Sequence, residues 1–75
     1  MNQIKKILKE QGRSIVWAAA QLDKPERPMS RSLMDWKIDH DSFEDWERRL
    51  LVERMGVVVT FDQVFPDAIE EGEPA

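Results

Sequence analysis

The sequence contains no cysteine, a single histidine and no long apolar run. Without cysteine, neither a disulfide nor a thiolate metal site or nucleophile can form, and His40 alone cannot build a metal centre. No stretch approaches the roughly 18 apolar residues of a membrane span. The first residues, MNQIKKILKEQG, are too polar for a secretory signal. These absences predict a soluble, cytoplasmic protein with no metal and no other cofactor.

Groups that carry catalysis are equally scarce. The sequence offers no nucleophile–histidine–acid arrangement and no glycine-rich phosphate loop. Asp39 and Asp41 flank His40, which invites a metal or acid–base interpretation, but a loop histidine between two solvated acids is the simpler one. A chain of 75 residues also builds only a small core, with little room for an enclosed pocket. We therefore expect no enzymatic activity.

The net charge of −4 is unevenly distributed along the chain. Residues 66–75, PDAIEEGEPA, contain four acidic residues and no basic one, whereas residues 1–65 hold 11 basic and 11 acidic residues. Residues 1–13 are basic, with three lysines and one arginine against one glutamate. A segment rich in glycine, proline and glutamate is typical of disorder. The distribution predicts a neutral, polarised domain over residues 1–65 and a disordered acidic tail over residues 66–75.

Apolar residues recur at helical spacing and predict an all-α domain of four or five short helices. Residues 2–11 form the first helix, and Gly12 suits the left-handed position after its end. Ser14 can cap a second helix, in which three consecutive alanines permit close approach of a neighbour. Ten side chains are predicted to form the core: Ile7, Leu8, Ala18, Ala19, Leu22, Met34, Ile38, Phe43, Leu51 and Met55.

Residues 23–28, with two prolines, interrupt the helical pattern. Ser30 restarts a third helix, which should end near residue 37 or 38. Ser42 is the predicted cap of a fourth helix that stops at Gly56. Thr60 and a glutamine three residues later form a capping-box signature for a last short helical turn.

This order of elements resembles the small repressor-type (Xre-like) helix-turn-helix family, typified by phage Cro and repressor proteins. The resemblance covers residues 4–65. It is carried by Ala19 and Leu22 in the first helix of the motif, by MSRS at residues 29–32 and by the closing MGVVVTFDQVF. Membership of that family implies a compact four- to five-helix domain whose recognition helix, residues 30–38, enters the major groove of DNA.

The resemblance implies a sequence-specific transcriptional regulator of phage or mobile-element type, with double-stranded DNA as its partner. Ser30, Arg31 and Ser32 would be nearest to the base edges, and the Arg31 guanidinium matches the paired acceptors of guanine. Four further cations are placed to contact phosphates: Arg13, Lys24, Arg27 and Lys37. Repressor-type domains usually bind as homodimers. Residues 57–61 are the candidate dimer surface, with the alternative that these valines simply close the core.

Several features depart from the family pattern or oppose DNA binding, and Arg48 and Arg54 also stand where the family prefers apolar or small residues. Residues 24–28 lengthen the turn between the two motif helices, and Leu33 stands where a polar, base-reading side chain is more usual. Asp35 would bring a carboxylate towards the groove, where it repels phosphate. Trp36 is expected on the outer surface beside Leu33, and such an apolar patch is a common mark of a protein interface. The alternative function is therefore a protein-binding module, an inhibitor or antitoxin, that uses Leu33 and Trp36 with Met29.

Overall fold

The computed structural model describes residues 2–66, and within them the chain forms five helices and no strand beyond an isolated bridge between Lys24 and Arg27. The helices are α1 (Ile4–Glu10), α2 (Ile15–Leu22), α3 (Arg31–His40), α4 (Asp45–Met55) and α5 (Phe61–Val64). The predicted all-α class is confirmed. Except for Pro66, the predicted acidic tail lies outside the described residues.

One hydrophobic core joins the helices. All ten side chains predicted to be buried are buried, and Ile4, Val64 and Phe65 join them. Helix α2 packs against both α3 and α4. Its buried face carries Ala18 and Ala19, which are small enough to let neighbouring helix axes come close. The core thus holds α2 and α3 together.

Helix starts follow the local capping signals in three places. The Ser14 hydroxyl accepts a hydrogen bond from the Trp17 amide, and the Ser30 hydroxyl accepts one from the Leu33 amide, each at 3.1 Å. Thr60 caps α5 in the predicted capping box. These side chains satisfy amide groups that have no partner inside their helix. The predicted boundaries are confirmed at these three positions.

The start of α4 differs from the prediction. Its N-cap is Glu44, whose amide donates to Oε1 of Glu47 at 2.8 Å in a capping box, so the prediction that Ser42 caps this helix is wrong. Ser42 instead belongs to the end of α3, where its amide donates to the Lys37 carbonyl at 2.9 Å. Helix α3 consequently extends to His40, two residues beyond the predicted end, and Asp41 follows in the left-handed conformation.

Gly56 ends α4 with φ 109° and ψ 168°, a conformation that residues with a side chain rarely adopt. We expect Gly56→Ala to lower the free energy of unfolding by about 1–3 kcal/mol. The loss would come from the backbone, since no atom lies within 4 Å of an added Cβ. Gly12, at φ 69°, lies in the left-handed helical region that asparagine tolerates. In urea denaturation, Gly12→Asn should therefore lose less stability than Gly56→Ala, and equal losses in the two variants would contradict this assignment.

Candidate nucleic-acid interface

The three residues predicted to read base edges lie together at the exposed start of α3. Ser30, Arg31 and Ser32 are all exposed. The Ser30 oxygen is used as the helix cap, which leaves its hydroxyl hydrogen available as a donor. Arg31 forms no ion pair with any other residue of the described part of the chain. This end of α3 is therefore sterically open to a partner and carries an unneutralised guanidinium.

A depression of about 400 Å³ adjoins this end of α3, and we call it the cationic depression. Four of its side chains are basic and none is acidic. The amino-terminal end of α2, capped by Ser14, opens onto it, and the free amides at such an end favour an anion. The lining residues are Lys5, Leu8, Lys9, Arg13, Ser14, Ile15 and Arg31.

Arg13 is the one predicted phosphate contact in this depression, and its guanidinium is held in place. It donates to the Arg54 carbonyl at 3.1 Å and lies 4.0 Å from the centroid of the Trp17 ring. Lys9, one helical turn before it, is exposed. The sequence prediction omitted Lys5 and Lys9. The signal that could have included them was the shared face of α1, on which residues 5 and 9 lie one turn apart.

Lys5 partly offsets the charge of two carboxylates of α3, Asp35 and Asp39, that would oppose DNA. Its Nζ lies 3.0 Å from an oxygen of Asp35 and 3.0 Å from an oxygen of Asp39. The hydrogen bonds to Asp39 and then to Asp35 raise the pKa of Lys5 above its ordinary value. The repulsion expected from Asp35 is thereby reduced. The net positive charge of the cationic depression then comes from Lys9, Arg13 and Arg31.

The long turn places its two predicted phosphate contacts elsewhere. Lys24 and Arg27 pair through their backbones, and the Lys24 Nζ lies 4.3 Å from the centroid of the Trp46 ring on α4. The Arg27 guanidinium forms an exposed ion pair with Glu44. This hydrogen bond from Arg27 is the main reason that the pKa of Glu44 lies below its ordinary value. Arg27 is thus partly neutralised, and neither cation lines the cationic depression.

Lys37, the remaining predicted phosphate contact, is used inside the fold. Its Nζ donates to Glu47 at 3.1 Å and to the Ser42 carbonyl at 3.2 Å. The Lys37 side chain is only 17% exposed and the Glu47 side chain 4%. An ammonium group committed to a buried carboxylate is unsuited to a DNA backbone. Lys37 therefore does not belong to the candidate interface, although its position on α3 predicted a phosphate contact.

The outer surface of α3 is apolar. Leu33 is 39% exposed and Trp36 50%, so the predicted exposure of Trp36 is confirmed. The Trp36 ring stacks on His40 with ring centroids 4.3 Å apart. The predicted anchor Met29 is half-buried against the core and contributes less to this surface. We call Leu33, Trp36 and His40 the outer apolar face.

The candidate dimer surface divides into two parts. Val57 is fully exposed and Val58 is 80% exposed, whereas Val59 and Phe61 pack against the core. The first two valines are therefore available to a partner, and the others close the core as the alternative predicted.

No group of three or more histidine or acidic side chains among residues 2–66 could hold a metal ion. No helix within that range is long and apolar enough to cross a bilayer. No protein-family profile, curated protein or solved structure matches the chain.

Proposed function

We propose that this protein is a sequence-specific DNA-binding transcriptional regulator, of phage or mobile-element type, that inserts the start of α3 into the major groove. The observation that carries the proposal is the position of Arg31. It is the first residue of α3 and also borders the cationic depression with Lys9 and Arg13. The end of α3 that would read bases therefore lies next to the cationic depression, which would bind a phosphate.

In this proposal the cationic depression and the start of α3 contact different parts of the DNA. A backbone phosphate occupies the cationic depression, where Arg13 and Lys9 supply charge and the start of α2 supplies free amides. These contacts fix the orientation of the domain without reading sequence. Arg31 and Ser32 then reach the base edges, with guanine as the preferred partner of Arg31. Lys24 and Arg27 supply a second, weaker backbone contact beyond the start of α3.

A homodimer would extend the recognised sequence. Two copies joined through Val57 and Val58 would present two α3 helices to half-sites about one helical turn, roughly 34 Å, apart. Such a regulator acts in the cytoplasm, on bacterial or phage DNA. Sedimentation analysis of the free protein tests the dimer directly, because Val58→Asp should shift a dimer to monomer.

Selection from mixed genomic DNA tests the proposed function. Fragments retained at about 50 mM salt should share a half-site, and their affinity should fall steeply at about 200 mM because counterions are released on binding. Arg31→Ala should reduce affinity for that half-site by about 5- to 150-fold, corresponding to roughly 1–3 kcal/mol, and relax the preference at one base pair. Its thermal midpoint should stay nearly unchanged, since Arg31 is exposed and unpaired among residues 2–66. No retained DNA at 50 mM would refute the proposal.

A protein-binding module is the second candidate function. The outer apolar face supports it, because a half-exposed tryptophan beside an exposed leucine is a surface that protein partners often cover. Under this alternative the protein inhibits or neutralises another protein and has no salt-sensitive affinity for DNA. A domain that retains no DNA, and whose partner binding is lost in Trp36→Ser but kept in Arg31→Ala, would establish it.

A further inference from the structure

The outer apolar face lies on the helix that the proposed function inserts into DNA. Leu33 and Trp36 follow Ser32 on the surface of α3, while Met34 and Ile38 on the other side of the helix are buried. The first turn of α3 therefore brings Leu33 into the groove together with Arg31 and Ser32. A partner that fills this surface must be anionic beside the cationic depression and apolar in front of Leu33.

Trp36 is held in one orientation beside Leu33. Its ring stacks on His40 with an interplanar angle of 18°, and Nδ1 of His40 lies 2.9 Å from the Trp36 carbonyl oxygen. A carbonyl oxygen only accepts hydrogen bonds, so Nδ1 carries the proton in this contact. The stacking on His40 restrains the indole, which lies one helical turn from Leu33 on the exposed side of α3.

The chemistry of the major groove restricts what such a surface can recognise. Base edges there present hydrogen-bond donors and acceptors, with one apolar group, the 5-methyl group of thymine. A leucine placed against a donor or acceptor would leave that polar group unsatisfied, which is unfavourable. Against a thymine methyl group the same leucine removes apolar surface from water. The occupant that satisfies both the charge and the apolar requirement is a thymine in a DNA duplex.

We propose that Leu33 is a specificity-determining residue that recognises the methyl group of a thymine, with the Trp36 ring, stacked on His40, beside the contact. This inference rests on the proposed function and names the base pair that the same helix reads. It predicts that the half-site contains an obligatory T·A pair in addition to the guanine contacted by Arg31. Leu33 would then contact a base through its apolar side chain, at a position where the family pattern has a polar, base-reading residue.

Replacing thymine by deoxyuridine in the selected half-site tests this inference without changing the protein. Uracil lacks only the methyl group, so pairing and the other base-edge groups are unchanged. Wild-type affinity should fall about four-fold at the recognised position, the effect of one buried methyl group. The same exchange in the flanking DNA should have no effect. Binding is measured by fluorescence anisotropy at one fixed salt concentration.

Leu33→Ala provides the matched protein variant. It should bind the thymine site several-fold more weakly than the wild type and should no longer distinguish thymine from uracil, which makes the two changes non-additive. Val16→Ala, at an exposed valine of α2 that does not line the cationic depression, is the control and should keep the full four-fold discrimination. Circular dichroism confirms that both variants are folded.

The outcomes separate the inference from the proposed function. A shared half-site whose affinity is unaffected by uracil at every position would overturn the inference and leave DNA binding intact. Discrimination that persists in Leu33→Ala would overturn the assignment to Leu33. No DNA retention at about 50 mM salt would overturn both proposals and direct attention to a protein partner for the outer apolar face.

Discussion

Replacing Glu47 by alanine should lower the free energy of unfolding by about 3–5 kcal/mol, a large fraction of the stability of so small a domain. Glu47 is the one charged residue among the buried residues of 2–66, with 3% of its surface exposed. Its Oε1 accepts from the Lys37 ammonium group at 3.1 Å and from the Glu44 amide at 2.8 Å. The substitution would leave a mostly buried lysine without its counter-charge and would remove the capping box of α4.

Urea denaturation of Glu47→Ala and Glu53→Ala measures this effect. Both residues are glutamates of α4, but Glu53 is exposed, so its loss should change stability by no more than about 0.5 kcal/mol. Adding Lys37→Met to Glu47→Ala should recover part of the stability, because the unpaired ammonium group is then absent. Equal stabilities of the two alanine variants would show that the Lys37–Glu47 pair contributes little.

Neutralising Lys9 and Arg13 together should weaken specific DNA binding by about 200-fold at 50 mM salt and by about 20-fold at 200 mM salt. Each phosphate contact adds roughly 0.9 to the slope of log affinity against log salt, so the loss of two contacts reduces the slope by about 1.8. With the difference in affinity taken to vanish at about 1 M salt, this change in slope gives the two predicted factors. At 50 mM salt the effect exceeds that expected for the loss of the single base contact of Arg31.

The variant for this measurement is Lys9→Gln with Arg13→Gln. A matched control, Lys6→Gln with Arg49→Gln, makes the same change in net charge at residues that do not line the cationic depression. The control should keep nearly wild-type affinity and salt slope. Because Arg13 also contacts Trp17 and the Arg54 carbonyl, folding of the first variant is checked by thermal unfolding. An equal loss of affinity in both variants would indicate an effect of net charge rather than of this depression.

The buried ion pair affects the stability of the fold, whereas the surface cations affect DNA binding. The Lys37–Glu47 pair links α3 to the start of α4, whereas Lys9 on α1 and Arg13 between α1 and α2 line the cationic depression. A variant that loses DNA binding with unchanged stability therefore reports on the surface. A variant that loses both reports on the placement of α3.

Local sequence determined the helices and most of the core. Ser14, Ser30 and Thr60 cap helices as expected, because a cap is a contact between residues only three apart in the chain. Nine of the ten predicted core residues lie in helices and are buried because helical spacing places them on one face of each helix, and that face must be covered; the tenth, Phe43, precedes α4. The all-α class follows from the same two local effects.

Tertiary structure decided which of two possible residues caps α4. Ser42 and Glu44 are both acceptable caps for α4, and the sequence prediction chose Ser42. In the folded protein the Ser42 amide closes the end of α3, while Glu44 forms the capping box with a glutamate that Lys37 holds in the interior. A helical pattern contains no information on which partner from another helix will compete for a backbone group.

The candidate interface depended on tertiary structure for the same reason. The sequence indicated that Arg31 and Lys37 lie on the exposed surface of α3 and that Arg13 precedes α2, but the period of a helix does not say which surfaces of different helices adjoin. Packing brought Lys9 and Arg13 beside Arg31 and directed Lys37 towards Glu47. The sequence by itself therefore determined the helices, the core and the exposed start of α3. Only the packing of the helices decided that Lys9 and Arg13 lie near the start of α3, and that Lys37 pairs with the buried Glu47 instead.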